Sequence, residues 1–242
     1  MSKIDEFVAY VAQFEPGFPN IIRGASPEEI SALERLAGRP LPEMYREFLE
    51  RMGHESGKIN LSLGGRSGIS HVIEYYRDAI ETGEREVPHN CIVIGHDQIA
   101  NELALEFKPD GEPQVVVSSG EEIKALHAES LEKLLYSLAF IAYRLRTLPY
   151  WASYTSSYQE IGMRMVLPAA RQLAEQLGFT ILWFSDTVTF CAERGTDAAL
   201  EFTQHEGQGL AGRVAATSQA EVEKIGDEFV RGLGVRQLRQ AA

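Results

Sequence analysis

The sequence predicts an α+β protein: an antiparallel sheet flanked by helices, then a second small α+β domain with two β-hairpins between helices. Three observations carry that expectation. Helix start signals and apolar residues at 3.6-residue spacing fill the first fifty positions or so. From residue 91, short apolar runs alternate with polar turns, as strands of an antiparallel meander do. Residues 147–158 hold Tyr150, Trp151, Tyr154 and Tyr158 in an otherwise polar stretch that fits a linker. The expected division is therefore a first domain over 1–146, a linker over 147–158 and a second domain over 159–242.

Taken in order, Ile4, Phe7, Val8, Val11 and Phe14 predict a short amphipathic helix, broken by Gly17-Phe18-Pro19-Asn20. Ser26, Pro27 and Glu29 form the signature of a capping box at the start of the next helix. Pro42 starts another, with Tyr45, Phe48, Leu49 and Met52 on one face and Gly53 as its stop. Gly64-Gly65-Arg66-Ser67-Gly68 lacks the Gly-Lys-Ser/Thr ending of a P-loop and the glycine spacing of a dinucleotide fingerprint, which favours a plain loop. A helix from Ser70 to about Thr82 should turn Val72, Ile73, Tyr76 and Ile80 inward.

Strands follow at about 91–95, 102–108 and 113–118, the last two separated by Pro109-Asp110-Gly111. Ser118-Ser119-Gly120 and Glu121-Glu122 suit a strand that leaves into a helix N-terminus, where the dipole favours acids. Ser130 to Leu145 is apolar on most of its circumference and should be a largely buried helix. In the second half a helix from about Glu160 to Leu177 precedes a hairpin of Phe179–Phe184 with Val188–Ala192. A second hairpin joins Ala198–Gln204 to Leu210–Ala215. A last helix runs from Ser218 to about Gly232, with Val222, Ile225, Phe229 and Val230 inward.

The chain is 44% hydrophobic and 24% charged, an ordinary globular composition, with a formal net charge of −12. Residues 1–150 carry 24 acidic and 15 basic side chains, net −9, against 11 and 8, net −3, over 151–242. Such acidity disfavours nucleic acid and suits a basic protein partner, while also serving solubility. No apolar run approaches the roughly 20 residues that span a bilayer, and the first residues are polar, so a cytoplasmic location away from membranes is expected. Cys91 and Cys191 lie in apolar runs about a hundred residues apart, as free thiols of a reducing compartment do.

Chemistry finds little footing. His54-Glu55, His96-Asp97 and His205-Glu206 are neighbours, but no two histidines share the helical spacing of a zinc protease, and neither cysteine has a Cys-x-x-Cys partner. No Gly-x-Ser-x-Gly elbow occurs. No catalytic residue, metal ligand or cofactor is assigned.

One pattern is more specific. The order Glu29, Ile30, Leu33, Glu34, Leu41, Pro42, Tyr45, Phe48, Leu49, Gly53 resembles the opening motif of the SUKH superfamily, which includes yeast cell-wall assembly regulators and bacterial toxin-immunity proteins. The likeness continues through Ile92-Val93-Ile94-Gly95-His96-Asp97, Leu103–Phe107 and Val115–Val117 to the segment Ser130–Tyr143, about 145 residues in all. It departs at Gln98-Ile99-Ala100-Asn101-Glu102, where many relatives carry a glycine-rich turn. The resemblance implies a non-enzymatic immunity protein that binds a cognate protein toxin, a nuclease being one candidate, through the sheet and its loops; the acidic composition would suit a basic one. In this chain those positions are His96, Asp97, Asn101, Glu102, Glu106 and Asp110, with Gln98 beside them. The alternative is a regulatory scaffold of the cell-wall-regulator kind. A third option is a hydrolase or ligand binder with a site around Trp151, Tyr154 and Trp183, and Tyr150, Trp151 and Tyr154 are expected to pack between domains or against a partner. Self-association stays open, and the second half resembles no family.

Overall fold

Helix α1 (Lys3–Ala12) opens on a capping box in which the Ser2 hydroxyl accepts from the Asp5 amide and the Asp5 carboxylate accepts in return from Ser2. A short helix α2 (Phe18–Ile21) follows. The expected cap of α3 (Pro27–Ala37) is present: Ser26 Oγ accepts from the Glu29 amide at 3.2 Å and Glu29 accepts from the Ser26 amide at 2.9 Å. Helix α4 (Glu43–Met52) starts after Pro42 and buries Tyr45, Phe48, Leu49 and Met52, the face that the spacing predicted. These elements come from a computed structural model that describes residues 2–62, 64–83, 89–97, 101–109, 111–157 and 165–238. The chain divides into two units, Met1–Leu135 and Tyr136–Ala242.

In the first unit, helix α5 (Ile69–Thr82) faces a four-stranded antiparallel meander in the order β1 (Cys91–His96), β2 (Glu102–Glu106), β3 (Gln114–Ser119), β4 (Glu122–Ala128). Two details differ from expectation. Ile80 is 63% exposed, and Tyr75 is buried in its stead, because the Tyr75 hydroxyl finds an acceptor in Glu102. The segment after Ser119 is not a helix: Gly120, at φ 58°, makes a tight turn and Glu122–Ala128 returns as β4 along β3. The acids at 121 and 122 flank a hairpin turn in water, where their charge is as well solvated as at a helix start.

The second unit begins inside helix α6 (Leu131–Ala139), which continues through a wider π-type turn (Phe140–Arg144) and a 3₁₀ turn (Leu145–Thr147). Within the stretch expected to be a linker, Tyr150–Thr155 is strand β5, paired antiparallel with β9, and Tyr158 lies outside the described residues. Alternation explains it, since Ala152 and Tyr154 are each 3% exposed while Trp151 points the opposite way. Helix α7 (Leu167–Gln176) starts later than Glu160; its first amides, on Val166 and Leu167, donate to Gln204 Oε1, and residues 158–164 lie outside the described set.

Strands β6 (Thr180–Ile181), β7 (Thr189–Arg194), β8 (Ala198–Thr203) and β9 (Ala211–Ala216) form an antiparallel run, and helix α8 (Gln219–Leu233) leads to β10 (Arg236–Leu238) at the far edge. The sheet order is β10-β5-β9-β8-β7-β6. The hairpin expected at 179–192 shrinks to two paired residues, because Ser185 Oγ and the Asp186 carboxylate bind the amides of Cys191, Val188 and Thr189 in place of a longer ladder. One face of the sheet (Ala152, Tyr154, Phe190, Leu200, Phe202, Val214) joins Leu167, Ala170, Val222 and Phe229 of the two helices in a single core. Toward the other face, Tyr136 and Phe140 pack on Phe184, and Arg144 approaches Glu193. Val230, expected inward, is 39% exposed; Gly226 is buried instead.

Gly226 is needed because the Tyr154 hydroxyl would stand 1.7 Å from any Cβ there. Gly226→Ala should therefore destabilise the second unit by about 1–3 kcal/mol in urea unfolding, and adding Tyr154→Phe should recover part of the loss. The first unit should be acid-labile. Backbone amides of Ser26 and Leu41 hold Glu29 and Glu34 below the usual carboxylate range, aided by His54 and Arg46 and opposed by burial. Burial raises Glu106, but hydrogen bonds from Lys108, Asn90 and Gln114 outweigh it and leave it lowered as well. Because the folded values are depressed, this stability is complete above the unfolded value of about 4.3 and is lost as pH falls through the folded values. The urea midpoint of the first unit should hold from neutral pH to about 5 and then decline.

Candidate protein-interaction surface

At the end of β1, His96 exchanges backbone hydrogen bonds with Arg66 of the glycine-rich loop, at 3.2 and 3.3 Å. Gly65 lies so close that a Cβ would meet the His96 carbonyl at 2.0 Å, which assigns the loop a packing role against β1. The His96 ring stacks on Tyr75, centroids 5.4 Å apart, and its Nδ1 is 3.0 Å from the Asp97 carbonyl oxygen. The Asp97 carboxylate accepts from the Asn101 amide at 3.0 Å and from Asn101 Nδ2 at 2.7 Å, while the Asp97 amide donates to the Asn101 carbonyl. His96, Asp97 and Asn101 thus come together at one end of the sheet, all half-buried. Gln98, between them, is outside the described residues.

The other expected contact residues are placed differently. Glu102 is 6% exposed, with the Tyr75 hydroxyl donating to it at 3.1 Å and Ser118 Oγ 3.5 Å away, so it displays no charge to a partner. A carboxylate can be buried here because donors meet it from both α5 and β3. Glu106, at the opposite end of β2, is clamped by Asn90 (3.0 Å), Gln114 (2.6 Å) and Lys108 (2.9 Å). Asp110 lies outside the described residues. Of the aromatics, Tyr154 is a core residue of the second unit rather than a packing surface, whereas Tyr150 and Trp151 are exposed on opposite faces of β5. Trp183 is 59% exposed and sets its edge against Tyr136, 4.8 Å between centroids.

A second feature of the first unit has no counterpart in the sequence reading. A cavity of about 370 Å³ opens between the start of α4, the loop before β3 and the start of α6. Buried Tyr45, Leu105 and Leu131 line it together with Pro42, Met44 and Pro113, and Glu43, Glu47, Glu112 and Glu132 supply carboxylates. Lys3 Nζ lies 2.8 Å from both Glu112 and Glu132, and those hydrogen bonds push its pKa up. The groove can hold an apolar group against its wall and a cation among its acids. Glu43 and Glu47 stand four apart on α4, which is legible locally, but the remaining acids arrive from positions about seventy and ninety residues later.

Acidity is concentrated in this unit. By sequence, residues 1–135 carry 24 acidic and 13 basic side chains, net −11, and residues 136–242 carry 11 and 10, net −1. Among the described residues no group of three His, Cys, Asp or Glu side chains could hold a metal ion, and no helix is long and apolar enough to cross a membrane. Burial pushes the Cys91 thiol up to about 11 and Cys191 well above its ordinary value, so both thiolates are disfavoured.

Residues 24–137 match the model of the SMI1 / KNR4 family (SUKH-1). That span begins just before the Ser26 cap and ends in α6, and it includes the whole four-stranded sheet. No curated protein and no solved structure matches the chain.

The burial of Glu102 separates structure from surface experimentally. Glu102→Ala should cost the first unit about 1–3 kcal/mol, since it strips partners from buried hydroxyls. Glu47→Gln, on the groove rim, should change stability by less than about 0.5 kcal/mol; urea unfolding of both variants checks the contrast.

Proposed function

From an N-terminal unit of the SUKH-1 type, we propose that this chain is a non-enzymatic binding protein that neutralises a cognate protein toxin in the cytoplasm of the cell that makes it. The observation that carries this is the acid-flanked apolar groove between α4, the loop before β3 and α6. Its chemistry fits a partner segment in which lysine or arginine follows an apolar anchor, and the −11 charge of the unit would steer such a basic partner toward it. Basic nucleases meet that description. His96, Asp97 and Asn101 form a second proposed contact, already rigid because their side chains and backbone bind one another. Glu106 is too fully engaged by its own donors to be a principal contact.

Affinity capture from the source organism, with the intact protein as bait, tests the proposal. A single stoichiometric partner with a toxin-like domain is expected. Several substoichiometric partners would favour the scaffold role known for cell-wall assembly regulators instead. With the partner in hand, the triple variant Glu43→Lys, Glu47→Lys, Glu112→Lys should slow association about tenfold or more and flatten its salt dependence. Unchanged association kinetics and salt slope would remove the groove from the interface.

A further inference from the structure

The arginines of the second unit are not all treated alike. Arg194 is 2.5 Å from Glu221, Arg231 is 3.0 Å from Glu228, and Arg144 is 3.6 Å from Glu193. The side chains of Arg146 and Arg213, by contrast, form no ion pair or hydrogen bond among the described residues, and the Nε of Arg213 is buried without a hydrogen-bond partner. Arg213 sits mid-strand on β9, opposite Ser153 of β5 and Glu201 of β8. Its guanidinium carbon lies 4.7 Å from the centre of the Trp151 ring. Together Arg146, Trp151 and Arg213 line an open cavity of about 330 Å³.

Glu201, opposite Arg213, is the carboxylate whose charge acts on both guanidinium groups, but among the described residues it forms no ion pair within 4.0 Å with either. Glu201 accepts instead from the Thr203 hydroxyl at 2.8 Å, and burial raises its pKa. Burial, then the charge of Arg146, lowers that of Arg213. Two like charges are therefore held near one another, one of them partly withdrawn from water, an arrangement that an added anion would stabilise. Guanidinium groups suit oxyanions because their N–H groups form a planar fork. The near-neutral second unit, net −1, lacks the general repulsion that the first would exert on an anion. The net charge of the whole chain, −12, still disfavours a long polyanion.

We propose that this cavity binds a small molecule carrying an oxyanion, phosphate or carboxylate, on a planar ring. The two guanidinium groups hold the anion, and Trp151 offers its indole to the ring. This assignment is independent of the toxin-binding groove.

The test uses the full chain with Trp183→Phe, which leaves Trp151 as its one tryptophan. Its fluorescence is followed while inorganic phosphate, phenyl phosphate or benzoate is added. Phenyl phosphate should give a saturable change at about tenfold lower concentration than inorganic phosphate. Arg146→Ala and Arg213→Ala should each raise the half-saturating concentration about tenfold or more. Arg146 is exposed, so its variant should fold normally, and circular dichroism checks both. Benzoate equal to phenyl phosphate would assign a carboxylate, and benzoate without effect a phosphate; either supports the oxyanion site. Equal binding of phenyl phosphate and inorganic phosphate would overturn the role given to Trp151. No saturable change with any probe, or unaltered binding by Arg146→Ala, would overturn the site.

Discussion

The first unit depends on one buried hydrogen bond: the Val93 amide donates to the Tyr76 hydroxyl at 2.9 Å. The register of β1 slips between Val93 and Gly95, which interrupts the ladder at this point. An amide left unpaired in a fully buried strand would be costly, and the α5 hydroxyl removes that cost while holding helix to sheet. The adjacent Tyr75 hydroxyl then reaches Glu102, so consecutive tyrosines attach α5 to two neighbouring strands. With β2 held in this register, Leu105 lines the groove and His96 stands opposite Glu102 at the end where Asp97 and Asn101 close the turn.

The acids of this unit fall into two groups with different work. Glu29 completes a cap and meets His54, Glu34 accepts from the Leu41 amide and Arg46, Glu102 is buried, and Glu106 is held by three donors. These carboxylates stabilise the fold and show a partner little free charge. Glu43 and Glu47 form no ion pair within 4.0 Å among the described residues and lie beside apolar Pro42, Met44 and Tyr45. A net charge alone cannot make this distinction, although it decides which acids can take part in recognition. In the second unit the same sorting, applied to arginines, isolates Arg146 and Arg213.

Local signals are legible in the sequence where they act within one turn or one strand. Ser26, Pro27 and Glu29 specify a cap through neighbouring atoms, and Tyr45, Phe48, Leu49 and Met52 specify a face through helical spacing. Structure departs from the local signal where a distant partner decides the outcome. Glu122–Ala128 carries half-exposed, mixed residues and becomes a strand because β3 offers it a ladder. Tyr150–Thr155 looks like an aromatic tether until β9 pairs with it and α8 supplies Gly226, on which the Tyr154 hydroxyl rests. Helix α7 takes its start from Gln204, some forty residues later in the chain.

The α+β class, the helix pair, the Ser26 cap, the buried face of α4 and the SUKH-like order of the first unit were all legible in the sequence. These follow from contacts between residues close along the chain, whose geometry is set by backbone periodicity. Tertiary structure alone decided which charged side chains remain available. Glu102 was withdrawn from the surface by Tyr75, Glu106 was neutralised by Lys108, and the groove was assembled from residues scattered between Lys3 and Glu132. Whether a charge is displayed or satisfied depends on donors and acceptors brought from remote segments, and chain spacing holds no record of that meeting.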